Sequence, residues 1–193
     1  MKVLIIPEDV KKDQYILKPI ITAMMEELGK PYAKVDVCQD PRLRGISQAT
    51  RWEYIQGIVE RYGGMYDLLL LCVDRDSEVD RRDQLNNIEQ QARSMLNADS
   101  LFLAENAWQE VEVWLLAGHT LPAGWNWSEI REERDPKERY YLPFAEQRGV
   151  LDKPGDGRKT LGKEAARRYD RIRRRCPEDI VALEQRIHAW IMG

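Results

Sequence analysis

The chain has 193 residues and carries 30 Lys and Arg against 33 Asp and Glu, a formal charge of −3. With 43% hydrophobic residues and six tryptophans it has enough apolar surface to bury a core without staples, which excludes a disordered chain. The small negative charge excludes a generic polyanion binder, although charge is unevenly spread: Arg148 to Arg175 holds eleven Lys or Arg against four Asp or Glu.

Val3-Leu4-Ile5-Ile6 is a short apolar run, as in a strand buried on both faces, and Pro7-Glu8-Asp9 ends it. Tyr15, Ile16, Ile20, Met24 and Leu28 recur at helical spacing up to Gly29, a C-terminal cap. Tyr32 to Val37 alternates as a second strand. Ser47 is placed to cap a helix carrying Trp52, Ile55, Ile58, Val59 and Tyr62, stopped by Gly63-Gly64. Leu68 to Val73 is the strongest buried-strand signal. A helix from Asp80 to Leu96, a strand at Leu101 to Ala104 and a helix holding Val111 to Leu116 come next. Beyond His119 the chain is rich in Trp, Pro, Gly and charge, which predicts loops with short helical pieces to residue 160. Two helices then close it, from about Leu161 to Arg175 and from Pro177 to Ile191, with Pro177 in a first turn. This alternation predicts an α/β fold: a mainly parallel four-stranded sheet with helices on both faces (residues 1–118), plus a C-terminal helical extension (119–193) packed on it as one domain.

Cys38, Cys72 and Cys176 are isolated, so neither a zinc site nor a disulfide framework is indicated, and a reducing cytoplasm is expected. No apolar stretch approaches the roughly 18 residues of a membrane helix. Only four apolar residues separate Lys2 from Pro7, too few for a signal peptide.

Acids fall at the ends of three predicted strands: Glu8 and Asp9, then Asp74 and Asp76, then Glu105. In parallel sheets ligands gather beyond these ends. Carboxylates crowded there repel one another unless some are protonated or a cation binds. A hard divalent ion suits such oxygen donors. In an extended segment Asp74 and Asp76 would face the same way and share an ion. Aspartates at strand ends are common in loops, however, and the pair alone is a weak signal.

Glu8 after the first strand and Asp74-Arg75-Asp76 after an apolar strand resemble the Toprim domain of topoisomerases, primases and related nucleases. The likeness is sharper to a family of small bacterial Toprim-like proteins. Glu112-Val113-Trp114-Leu115-Leu116-Ala117-Gly118 resembles that family's Glu-Ala-Trp-Leu-Leu-Ala-Asp stretch, and Tyr169 through Pro177 is also similar. The resemblance covers nearly the whole chain. It implies Glu8 as general acid or base or metal ligand, Asp74 and Asp76 as ligands of Mg2+ or Mn2+, and Glu112 as a glutamate near the site. Glu105 and Glu110 are alternative ligands. Two departures stand in the first loop: Asp9 replaces the family's glycine, and Lys12 occupies the place of a second acid, with Asp13 one residue on. The resemblance further implies a nuclease acting on DNA or RNA, associated with an ABC-type or AAA-type ATPase in bacterial phage defence.

Among the basic residues, Lys153, Arg158, Lys159, Arg167 and Arg171 are the candidates for holding a nucleic-acid backbone, against the plainer reading of a solvated helix face. Asp156 to Thr160 lacks P-loop spacing, so no ATP site is expected in this chain. His119 and His188 support no nucleophilic triad. Trp125 and Trp127 fit burial or an interface better than base stacking. Two rival readings remain. One is a non-catalytic Toprim-fold subunit that binds a partner ATPase or nucleic acid. The other is a phosphotransferase or haloacid-dehalogenase-like phosphatase, whose nucleophilic Asp usually comes after the first strand.

Overall fold

Strands β1 (Lys2–Pro7), β2 (Lys34–Val37), β3 (Leu68–Asp74) and β4 (Leu101–Ala107) form one all-parallel sheet in the order β2-β1-β3-β4. They do so in a computed structural model that describes residues 1–193. The strands are apolar on both faces because both faces are covered. Val3 and Ile5 join one core cluster with Leu68, Leu70 and Cys72, while Leu4 and Ile6 join another with Leu69, Leu71 and Val73.

Helix α1 (Gln14–Glu27) connects β1 to β2 over the first face and ends where Gly29 takes φ +73°. Helices α2 (Ile46–Ala49) and α3 (Trp52–Tyr62), and then α4 (Arg81–Arg93), cover the second face. From β1 the chain steps outward to β2, and from β3 it steps the opposite way to β4. Right-handed crossovers in opposite directions put α1 and α4 on opposite faces. The sheet therefore has its switch point between β1 and β3, the place where ligands gather in such sheets.

The remaining elements are α5 (Glu112–Ala117), α6 (Trp127–Glu132), α7 (Leu142–Gln147), α8 (Arg158–Ala166), α9 (Tyr169–Arg175) and α10 (Ala182–Met192). Single π-helical turns, Lys137–Tyr141 and Pro177–Val181, lead into α7 and α10. Their apolar faces add to the first cluster: Phe144, Leu161, Ile172, Ile180, Leu183 and Ile187 share one core with Val3 and Ile5. Helix α8 packs tightly on its neighbours because of two glycines. A Cβ on Gly162 would lie 2.2 Å from the Tyr15 carbonyl oxygen, and one on Gly118 would lie 2.6 Å from Ala165 Cα. No helix is long and apolar enough to cross a membrane.

Three expectations are corrected. Ser47 lies inside α2 rather than capping the helix that carries Trp52; α3 begins after extended Arg51. The helix expected from Leu161 to Arg175 is two, because Arg168 takes φ −121° and ψ 43°. Leu161, Ala165, Tyr169 and Ile172 keep helical spacing across that break, which hides it in the sequence. Strand β4 runs on to Ala107, so Glu105 sits within the strand and not after it.

Candidate metal centre

Glu8 comes directly after β1, and its backbone N–H donates to the Cys72 carbonyl at 3.2 Å. That bond carries the β1–β3 pairing one residue past the strand and sets Glu8 beside the end of β3. The Glu8 carboxylate accepts the Asp74 N–H at 3.2 Å. Asp74 in turn accepts the Val111 N–H at 2.9 Å, just before α5. Two acids 66 positions apart in sequence thus meet at the switch point of the sheet.

Two more carboxylates approach. Asp13 precedes α1 and accepts the Asp9 N–H at 2.9 Å, which folds the first loop back on itself. Glu112 opens α5 and is buried. The electrostatics report the crowding. Burial, then Glu112, Glu8 and Asp13, push the Asp74 carboxyl well above the usual carboxylate range. Burial and the charges of Glu112, Asp9 and Glu8 push Asp13 up to about 7. Burial raises Glu8 as well, with Asp76 adding repulsion. Glu110 is pushed up to about 7 by burial and by Glu112, although it accepts the Lys137 N–H at 2.7 Å.

Glu112 is answered by a cation. Arg158 is fully buried, its Nε donates to Glu112 Oε1 at 2.9 Å, and its Nη2 donates to the same oxygen. Its guanidinium lies 4.4 Å from the Tyr141 ring centroid and also donates to the Gly155 carbonyl at 2.9 Å. Arg158 is therefore no surface cation. The expectation that it holds a nucleic-acid backbone is corrected, because burial and the ion pair take its donors inward.

Asp76 departs from its expected place. Asp76 and Ser77 have φ +52° and +60°, so the chain leaves the extended conformation straight after Asp74 and Arg75, and the strand alternation that would set the two aspartates on one face does not hold. Gln109 stabilises this turn: its carbonyl accepts Arg75 N–H at 2.7 Å and its side chain accepts Ser77 N–H at 2.9 Å. The Asp76 carboxylate stands 3.9 Å from Arg81. Arg81 is 5% exposed and donates to Gln84 at 3.0 Å, and its Nε is the one buried side-chain polar atom without a partner. Natural interiors seldom leave such a donor unspent.

Glu105 is engaged elsewhere, with Arg82 at 3.1 Å and Arg186 at 3.2 Å. Lys12 pairs with Asp156 at 3.1 Å, which Arg158 also meets at 3.2 Å. Of the basic candidates, Lys159 and Arg167 are exposed. Lys153 is exposed and paired with Asp152 at 3.1 Å, and half-buried Arg171 donates to Thr120 at 3.1 Å. His119 is buried against Phe144 with a ring nitrogen 3.0 Å from the Leu161 carbonyl, and burial lowers its pKa. Trp125 packs edge-on to Tyr140, and Trp127 donates to the Arg175 carbonyl at 3.0 Å.

As the side chains stand, no three His, Cys, Asp or Glu are set to ligate one ion. The reason is visible: Glu112 is turned to Arg158, Asp76 to Arg81, and Asp13 to the Asp9 N–H. The donor chemistry nonetheless fits a hard divalent cation. Such an ion often takes only one or two protein carboxylates and fills its shell with water and phosphate oxygens, a demand Glu8 and Asp74 can meet. A cleft of about 1050 Å3 opens over Glu8 and Asp9, and Lys11, Arg42 and Arg44 line it.

Sequence reasoning named Glu8, Asp74 and Glu112 and noted Asp13 only as a displaced acid. It missed Arg81 and Gln109, whose positions depend on the loop geometry after β3 and β4. Comparison with protein-family models, curated proteins and solved structures finds no match to this chain.

Proposed function

We propose that this chain is a metal-dependent nuclease that hydrolyses phosphodiester bonds of DNA or RNA, with Mg2+ or Mn2+ held by Glu8 and Asp74. One observation carries this reading: Glu8 and Asp74 meet at the C-terminal edge of the sheet, the Glu8 carboxylate accepting the Asp74 N–H at 3.2 Å, with Glu112 and Asp13 near enough to raise the Asp74 pKa. A protein that needed those acids only for folding would gain by losing one of them. A divalent ion at this edge would polarise the scissile phosphate and lower the pKa of a water.

The chain's own residues supply the rest. Arg81 is buried beside Asp76, 3.9 Å from its carboxylate, and positions that acid at the edge of the site. Asp13, at about 7, is poised to take up or release a proton near neutral pH. Lys11, Arg42 and Arg44 line the cleft and orient the backbone leading to Glu8. The Toprim resemblance adds the context of phage defence and a partner ATPase of the ABC or AAA type. The test incubates purified protein with plasmid and with tRNA in Mg2+ or Mn2+, beside Asp74→Ala. Cutting by the wild type and none by the variant is expected, and equal cutting by both would sink the assignment.

A second reading is a non-catalytic Toprim-fold subunit that binds a partner ATPase or nucleic acid. It is favoured by the Arg158–Glu112 pair, which already neutralises one acid. A folded protein that binds neither Mg2+ nor Mn2+ would select it.

A further inference from the structure

We propose that the groove between α1 and α8 is a track for the backbone of a single nucleic-acid strand. The proposal rests on the nucleic-acid part of the reading above and is independent of the metal. The groove has a volume of about 560 Å3, and Lys18 of α1, Lys159 and Lys163 of α8 and Arg167 at the C-cap of α8 line it. Glu26 is its one acid. None of the four cations forms an ion pair within the protein, whereas Lys12, Arg148 and Arg173 nearby are all paired.

The geometry suits one strand. Lys159, Lys163 and Arg167 recur every four residues, so they form a single row with steps of about 6 Å along the helix axis. A row of that repeat neutralises successive phosphates of one extended strand. The floor is close-packed at Gly162, which presses α8 onto the Tyr15 carbonyl. Tyr15 lines the groove as well, its ring packed close to Gly155. The groove begins at Gln14, next in sequence to Asp13 of the acid cluster. A strand lying in it is led to the C-terminal edge of the sheet. Lys153, Arg158 and Arg171, which the sequence grouped with these cations, are outside the groove.

The experiment is fluorescence anisotropy with a labelled single-stranded oligonucleotide in EDTA, where no metal-dependent cutting occurs. Lys159→Ala/Lys163→Ala is compared with the wild type, with Asp74→Ala, and with Lys2→Ala/Arg93→Ala, which removes two charges that do not line the groove. We expect the groove variant to bind at least tenfold more weakly. We also expect its log–log salt slope to be shallower by about 1.4, from about 0.7 per lost phosphate contact. The Lys2/Arg93 variant should bind as the wild type does. Equal affinity of the groove variant and the wild type would overturn the proposal, and so would binding to phosphatidylserine vesicles without binding to the oligonucleotide. Groove-dependent binding by a protein that Asp74→Ala leaves equally active would retire the metal site and keep the track.

Discussion

Arg158 reaches Glu112 from the first turn of α8, with its Nε 2.9 Å from Oε1 and both side chains buried. This pair ties the C-terminal helices to the acid cluster, because Glu112 also bears on Asp74, Asp13 and Glu110. Removing the cation leaves a buried carboxylate uncompensated, which typically costs about 3–5 kcal/mol. Arg158→Met is expected to lose that much stability in urea unfolding. Glu112→Gln/Arg158→Met should recover a large part of it, since neither charge is then left alone. A double variant no better than Arg158→Met would show that the arginine acts through its packing on Tyr141 instead.

The buried acids set a pH dependence whose direction is fixed. Asp13 is held up to about 7 in the folded chain, whereas an unfolded aspartate titrates near its ordinary 3.8. Between those values the folded state binds the extra proton. Stability is therefore fullest at the acid end of that window and falls as pH rises through about 7, by about 1.4 kcal/mol per unit at most. Glu110, also at about 7, acts in the same sense. Urea midpoints should be higher at pH 5 than at pH 8, and Asp13→Asn should flatten the difference. A steeper loss in Asp13→Asn would contradict this account.

The strands and the pairing of Glu8 with Asp74 were legible in the sequence for a simple reason. Val3–Ile6 and Leu68–Val73 are buried on both faces, and parallel topology forces their ends to one edge. The path of the chain beyond those ends was not legible. Asp76 leaves the extended path because Gln109, from the loop after β4, stabilises a left-handed turn, and no local signal in Asp74-Arg75-Asp76 announces a partner that distant. Arg158 failed for the opposite reason. It lies in a Gly-rich basic stretch that reads as exposed, and only the approach of α8 to α5 turns it inward. The break at Arg168 was masked because the apolar spacing continues across it.

Gly162 offers a test of how closely α8 must sit on α1. A Cβ there would meet the Tyr15 carbonyl oxygen at 2.2 Å, and a backbone atom cannot move aside cheaply. Gly162→Ala is expected to destabilise the fold by about 1–3 kcal/mol, the usual range for overpacking. Gly57→Ala should lack this penalty, because nothing lies within 4 Å of its Cβ position. Thermal melts of the two variants should separate clearly, with Gly162→Ala the lower.

Arg81 is buried beside Asp76, and its worth should appear in activity as well as in folding. Its Nη1 bonds Gln84 and its Nη2 faces Asp76, and Arg81→Lys keeps the charge but loses the Nε donor and the planar fork. If Arg81 positions Asp76 for the reaction, cleavage by Arg81→Lys should fall about 10-fold, the order of one weakened charge-assisted contact. The melting temperature should fall modestly, since the Nη1 bond to Gln84 is lost. Unchanged cleavage would leave Arg81 with a folding role only.

Asp74 itself allows the sharpest separation of the two readings, because metal and no metal predict opposite signs. Without a divalent ion, Asp74 ionises only against burial and the charges of Glu112, Glu8 and Asp13. Asp74→Asn removes that repulsion and keeps an oxygen to accept the Val111 N–H, so the metal-free variant should melt higher than the wild type at pH 8. Adding Mn2+ should then raise the wild type, by about 2.7 kcal/mol of stability at a hundred times the dissociation constant. The Asn variant should barely respond, since a neutral amide is a poor ligand for a hard cation. The crossing of the two melting curves with Mn2+ is the signature of a site whose repulsion the ion relieves. A wild type indifferent to Mn2+ and Mg2+, with Asp74→Asn still the more stable, would leave the acids to a partner that brings its own positive charge.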